Sequence, residues 1–205
     1  MLKNLYIKPI IALCLFVLIF ACSKDDPDPV HEEEVITRVT LEVSKVGSSN
    51  PTTYTFEVEG HDHDHDDHDD DDHDDEDGDE HEGEHTEIEV EANSSYNVSI
   101  SFYNDSDPDN VENITSEIIE EKDEHQIFYD ITDELSGFSI ASASDDTLDG
   151  SGNPLFIKST WTTTGETSGE VVGYLIHSPT SKTGNTRTDF GGSTDVEIEF
   201  EVHVE

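Results

Sequence analysis

The sequence predicts an all-β fold, an antiparallel immunoglobulin-like β-sandwich interrupted by a disordered His/Asp-rich loop. Three observations carry this expectation. Apolar and polar residues alternate with a period of two in about eight or nine short segments, the pattern of strands that bury one face and wet the other. Clusters of Asn, Ser, Gly and Pro separate these segments at the short intervals of a sandwich. No long helical period follows the first 21 residues, and no internal repeat is visible.

Those first residues belong to export rather than to the fold. Lys3 and Lys8 precede an apolar run from Ile10 to Phe20. A run of that length cannot span about 30 Å of hydrocarbon, which takes about 20 residues, but it suits the apolar segment of a signal peptide. Ala21-Cys22 resembles a lipobox, so residues 1–21 read as the signal and Cys22 as the lipidation site. Ser23-Lys24-Asp25-Asp26 resembles the acidic tag that sends Bacteroidota lipoproteins to the outer face of the outer membrane. Residues 22–34, rich in acid and carrying Pro27 and Pro29, read as a tether, and residues 35–205 as the sandwich domain. The expected location is the outer membrane, lipid-anchored, at the cell surface or otherwise facing the periplasm.

Within the domain the strands follow in order. Val35, Val39, Leu41 and Val43 alternate with Arg38, Thr40, Glu42 and Ser44; Asn50-Pro51 marks a turn; Tyr54, Phe56 and Val58 resume. Ile88 and Val90 follow the His/Asp tract. Asn93-Ser94-Ser95 turns the chain into Tyr96, Val98, Ile100 and Phe102. Val111 to Glu124 fits a bulged strand or a short helix equally. Ile127, Tyr129 and Ile131 alternate, then Phe138 and Ile140, then Leu155, Ile157, Ser159 and Trp161, then Val171 to His177. Val196 to Val204, against Glu197, Glu199, Glu201 and His203, is the cleanest alternation in the chain.

Composition narrows the chemistry. A formal net charge of −42 excludes nucleic acid, whose phosphates need Lys and Arg, and favours cations. Cys14 leaves with the signal and Cys22 carries lipid, so neither a disulfide nor a thiolate metal site is available. Residues 61–85 contain 16 carboxylates, seven His and two Gly. His61, His63, His65, His68, His73, His81 and His85, with Asp62 and Asp64 between the first three, are the candidate metal ligands. Imidazole suits Zn, Ni and Cu, and carboxylate suits these and harder ions such as Ca. His81 and His85 are spaced to share an ion across one helical turn. The bland alternative is an acidic spacer with incidental His. Asp75 to Asp79 lacks the spacing and terminal Glu of an EF-hand, and Asp105, Asp107 and Asp109 read as a solvated turn. His125, beside Glu120, Glu121, Asp123 and Glu124, is either a strand-edge His held by a carboxylate or a metal ligand or proton switch. His203 reads as exposed.

The chain resembles small Bacteroidota outer-membrane lipoproteins labelled as a type 1 periplasmic-binding-fold superfamily. The residues that carry the resemblance are EEEVITRVTLEV at 32–43, NVENITSEIIEEKDEHQIFYDI at 110–131 and GGSTDVEIEFEV at 191–202. The resemblance implies an envelope location and no particular activity. A periplasmic-binding fold would alternate strands with helices in two lobes; the period-two pattern and the modest length predict the sandwich instead.

No enzyme is expected: there is no Gly-x-Ser-x-Gly elbow, phosphate loop, His-Glu-x-x-His or free thiol. The expected function is a membrane-anchored lipoprotein that binds divalent metal, Zn or similar, through the His/Asp loop as accessory to an outer-membrane transporter. The alternative is an adhesion or interaction module for protein or glycan, with the tract as a spacer.

Overall fold

The computed structural model describes residues 34–58 and 86–205. The signal, Cys22, the tether up to Glu33 and the whole His/Asp tract lie outside the described residues.

The described chain is an all-β sandwich of two sheets. Strands β1 (Arg38–Lys45), β2 (Thr52–Glu57), β4 (Ser95–Asn104), β7 (Phe138–Ser142) and β8 (Lys158–Thr163) form one sheet in the order β2-β1-β4-β8-β7, and the short β5 (Glu112–Asn113) pairs with β4. Strands β3 (Thr86–Val90), β6 (His125–Ile131), β9 (Thr167–His177) and β10 (Ser193–Val204) form the second, in the order β3-β10-β9-β6. Every pairing is antiparallel except that of β3 with β10, which is parallel. Two short helices, α1 (Thr115–Glu120) and α2 (Arg187–Phe190), sit in the connections. The ambiguous stretch after Val111 therefore resolves into a two-residue strand without a bulge, followed by a short helix.

The alternation seen in the sequence is the burial pattern. Val196, Ile198, Phe200, Val202 and Val204 of β10 are buried, while Glu197, Glu199 and Glu201 are exposed. The core sits between the sheets around Trp161 on β8, which is fully buried. Its ring stacks on Phe200 of the opposite sheet at 5.8 Å and meets Phe138 edge-on at 5.4 Å. Its indole N–H donates to Ser159 Oγ at 3.1 Å, so the one polar atom of the largest core side chain is satisfied.

One end of the alternation departs from the sequence pattern. Val35 is 59 % exposed and Ile36 is buried in its place. Residues 34–37 are not strand, so the period of two does not extend back past Arg38. This coil is held by Thr37, whose N–H donates to Tyr103 O at 3.0 Å. The Thr37 hydroxyl donates to the Asp105 carboxylate and accepts the Asp105 N–H. Arg38 Nε adds a 2.7 Å ion pair to Asp105 Oδ2 and lies 4.3 Å above the Tyr103 ring. Asp105, read from the sequence as part of a solvated turn, is thus a clamp on the incoming chain. The Thr37 hydrogen bond and the Arg38 guanidinium hold its carboxyl below the ordinary range. Asp107 does form a turn, accepting the Asp109 N–H at 3.1 Å.

Candidate metal centre

His125 opens β6, the edge strand of the second sheet, and His177 closes β9, its neighbour. The two are directly opposed in the antiparallel register, so their side chains leave the same face. Their rings stack with centroids 4.8 Å apart and an interplanar angle of 25°. Just beyond β9, Ser178 takes a positive φ of 48°, and its N–H donates to Glu124 O at 2.6 Å, which closes this end of the β6–β9 ladder.

A third candidate ligand comes from β10. The register places Thr194 opposite Ile176 and Val196 opposite Leu175, leaving Asp195 as the extra residue of a β-bulge. A bulge re-aims a side chain out of the regular alternation, and here it turns Asp195 toward the two imidazoles. The turn that delivers the bulge is tightly specified. Gly191 and Gly192 have φ of 65° and 66°, and a Cβ on Gly192 would lie 2.1 Å from His177 O. Arg187 of α2 spans the same turn, donating to Gly191 O at 2.8 Å, Gly192 O at 3.3 Å and Thr194 Oγ1 at 2.8 Å.

The fourth candidate ligand is Glu34, at the start of the coil clamped by Asp105. The sequence reading places it in the tether, yet its side chain is only 4 % exposed. Glu34 Oε1 lies 3.2 Å from His125 Nε2, Asp195 Oδ2 lies 3.8 Å from the same nitrogen, and Asp195 Oδ1 lies 3.8 Å from His177 Nδ1. One donor atom from each residue falls within 4.8 Å of all the others. Four ligands around a zinc-sized ion at about 2.0–2.1 Å stand about 3.3 Å apart, so the set would have to draw together to close on one.

The hydrogen bonds prepare His125 as a ligand. Its Nδ1 lies 3.2 Å from Glu121 O, just past α1. A carbonyl only accepts, so Nδ1 carries the hydrogen and Nε2 points at the carboxylates. Metal-bound imidazoles are oriented in this way by a backbone carbonyl behind them. His125 Nε2 and Glu34 Oε2 are buried without a hydrogen-bond partner. Buried polar atoms in that condition are compatible with an ion or a water between them.

The cluster therefore can hold a metal ion, and it brings together two His and two carboxylates. Of the residues singled out in the sequence, His125 is in it. His203 is half-exposed, 3.5 Å from both Glu87 and Glu201. Cys22, Asp62, Asp64 and the seven tract His lie outside the described residues. Glu34, His177 and Asp195 were not legible as ligands. His177 carried one faint signal, a His ending the otherwise apolar run Leu175-Ile176. No protein-family model matches the chain, and neither does any curated protein or solved structure.

Proposed function

We propose that this protein is a lipid-anchored outer-membrane lipoprotein that binds a divalent transition-metal ion, zinc or a near relative. The observation that carries the metal reading is the convergence of Glu34, His125, His177 and Asp195, with side chains between 0 and 9 % exposed. Two imidazoles favour Zn²⁺, Co²⁺ or Ni²⁺ over Ca²⁺, which prefers oxygen alone. In this reading the His/Asp tract gathers ions from solution at modest affinity per site, because a chain without apolar anchors must order itself on binding. The buried cluster retains one ion, and the lipid on Cys22 keeps the domain at the membrane, where it serves an outer-membrane transporter.

The test is metal titration of the mature chain beside two variants. In one, His125 and His177 become Ala; in the other, the seven tract His become Asn. Loss of one high-affinity equivalent in the first, and of several weaker equivalents in the second, is the expected result. If both variants bind Zn²⁺ as the parent does, the His are incidental. The protein is then better read as an interaction module with an acidic spacer.

A further inference from the structure

The four ligands differ in how they are held. His125, His177 and Asp195 sit on β6, β9 and β10, hydrogen-bonded neighbours in one sheet. Glu34 sits on none of these strands. It belongs to the coil that leads to β1 in the opposite sheet, and it is separated from the clamped Thr37 by the exposed Val35 and the buried Ile36. All four side chains are nearly sealed from solvent, so an ion cannot pass in or out while every ligand stays in place. The backbones of His125 and His177 are pinned by their pairing in the ladder, and that of Asp195 is held between the paired Thr194 and Val196. Glu34 can withdraw by rotating about a few backbone bonds of a coil, the kind of position that absorbs hinge motion.

We propose that Glu34 is both a ligand and the gate of this site. The ion docks first on His125, His177 and Asp195, and Glu34 then closes over it; release begins when Glu34 swings out. Asp105 acts on the gate from a distance. It touches none of the ligands but fixes Thr37 and Arg38, and so sets how readily the coil opens. This inference rests on the metal reading above and adds to it a route and a rate.

The test uses Co²⁺, whose visible absorption is strong in a four-coordinate site, with the mature chain carrying Asn at the seven tract His so that only the buried site reports. Stopped-flow mixing gives the association rate, and a chelator chase gives the release rate. Glu34→Gln should raise the release rate by about tenfold or more while leaving association as fast or faster, because ligand loss in a fixed site is read mainly in dissociation. Asp105→Ala keeps all four ligands. It should speed association and release together by a similar factor, leaving the affinity within about threefold, since both rates scale with the open fraction. Asp105→Asn should fall between. Ile36→Ala, which loosens the coil by packing alone, should act as Asp105→Ala does. If Co²⁺ binds the parent but neither Asp105→Ala nor Ile36→Ala alters the rates, the gate is overturned and the metal reading stands. If the parent shows no Co²⁺ band, both are overturned.

Discussion

Gly192 is the residue on which the geometry of the centre turns. It combines a positive φ with a position where any Cβ would collide with His177 O, and L-residues resist the first while the backbone cannot yield to the second. Gly192→Ala should therefore cost about 2 kcal/mol or more of stability. It should also displace the bulge that aims Asp195, so urea unfolding and Co²⁺ affinity should worsen together; an unchanged affinity would show that the bulge is held from elsewhere. Asp105 makes a prediction about acid. Its folded-state carboxyl titrates below the ordinary 3.8 because of Thr37 and Arg38. A depressed folded value contributes stability that is complete above the unfolded value and disappears as pH falls through the folded one. The parent should accordingly lose part of its urea midpoint below about pH 4. Asp105→Ala, already weaker at neutral pH, should lose less over the same interval.

Among the elements, β10 is the most legible in sequence and carries the least legible ligand. Its alternation from Val196 to Val204 gives its face and its central place between β3 and β9, but Asp195 is buried because a bulge breaks that alternation. A bulge adds one residue without changing composition, so nothing local announces it. Glu34 was hidden for a different reason. Acid-rich tether and buried ligand share the run Glu32-Glu33-Glu34, and only the tertiary clamp at Thr37 separates them. His125 was visible because it lies beside Glu120, Glu121, Asp123 and Glu124, whereas two of the partners that give it meaning lie 52 and 70 positions further along the chain. The strands themselves were readable since one-faced burial imposes a period on sequence, and the bulge and clamp were not since each depends on contacts distant in sequence. The Trp161 layer offers the element-scale test. Trp161→Ala removes the ring stacked on Phe200 and should cost about 3–5 kcal/mol, read as a lower urea midpoint; a smaller change would mean that the sheets close over the space.

At the scale of the molecule, the chain between β2 and β3 passes from one sheet to the other, and the His/Asp tract lies within that crossing. Replacing residues 61–85 with a short Gly-Ser linker should keep a single cooperative thermal transition, because each halving of a loop alters closure entropy by only about 0.6 kcal/mol. Loss of cooperativity would make the tract structural. Cys22→Ala should move the protein from the membrane fraction to the soluble one, since the expected lipid is the only anchor proposed; retention after a carbonate wash would refute lipidation there. The parallel pairing of β3 with β10 has a consequence for timing. Residues 86–90 wait for residues 200–204, so the second sheet cannot be completed until nearly all of the described chain has left the ribosome. The cluster needs Asp195 from that same late strand. If the chain crosses the inner membrane unfolded, the centre would assemble only after translocation. The ion it acquires would then be set by the metals present where folding finishes, outside the compartment that regulates zinc and copper most tightly.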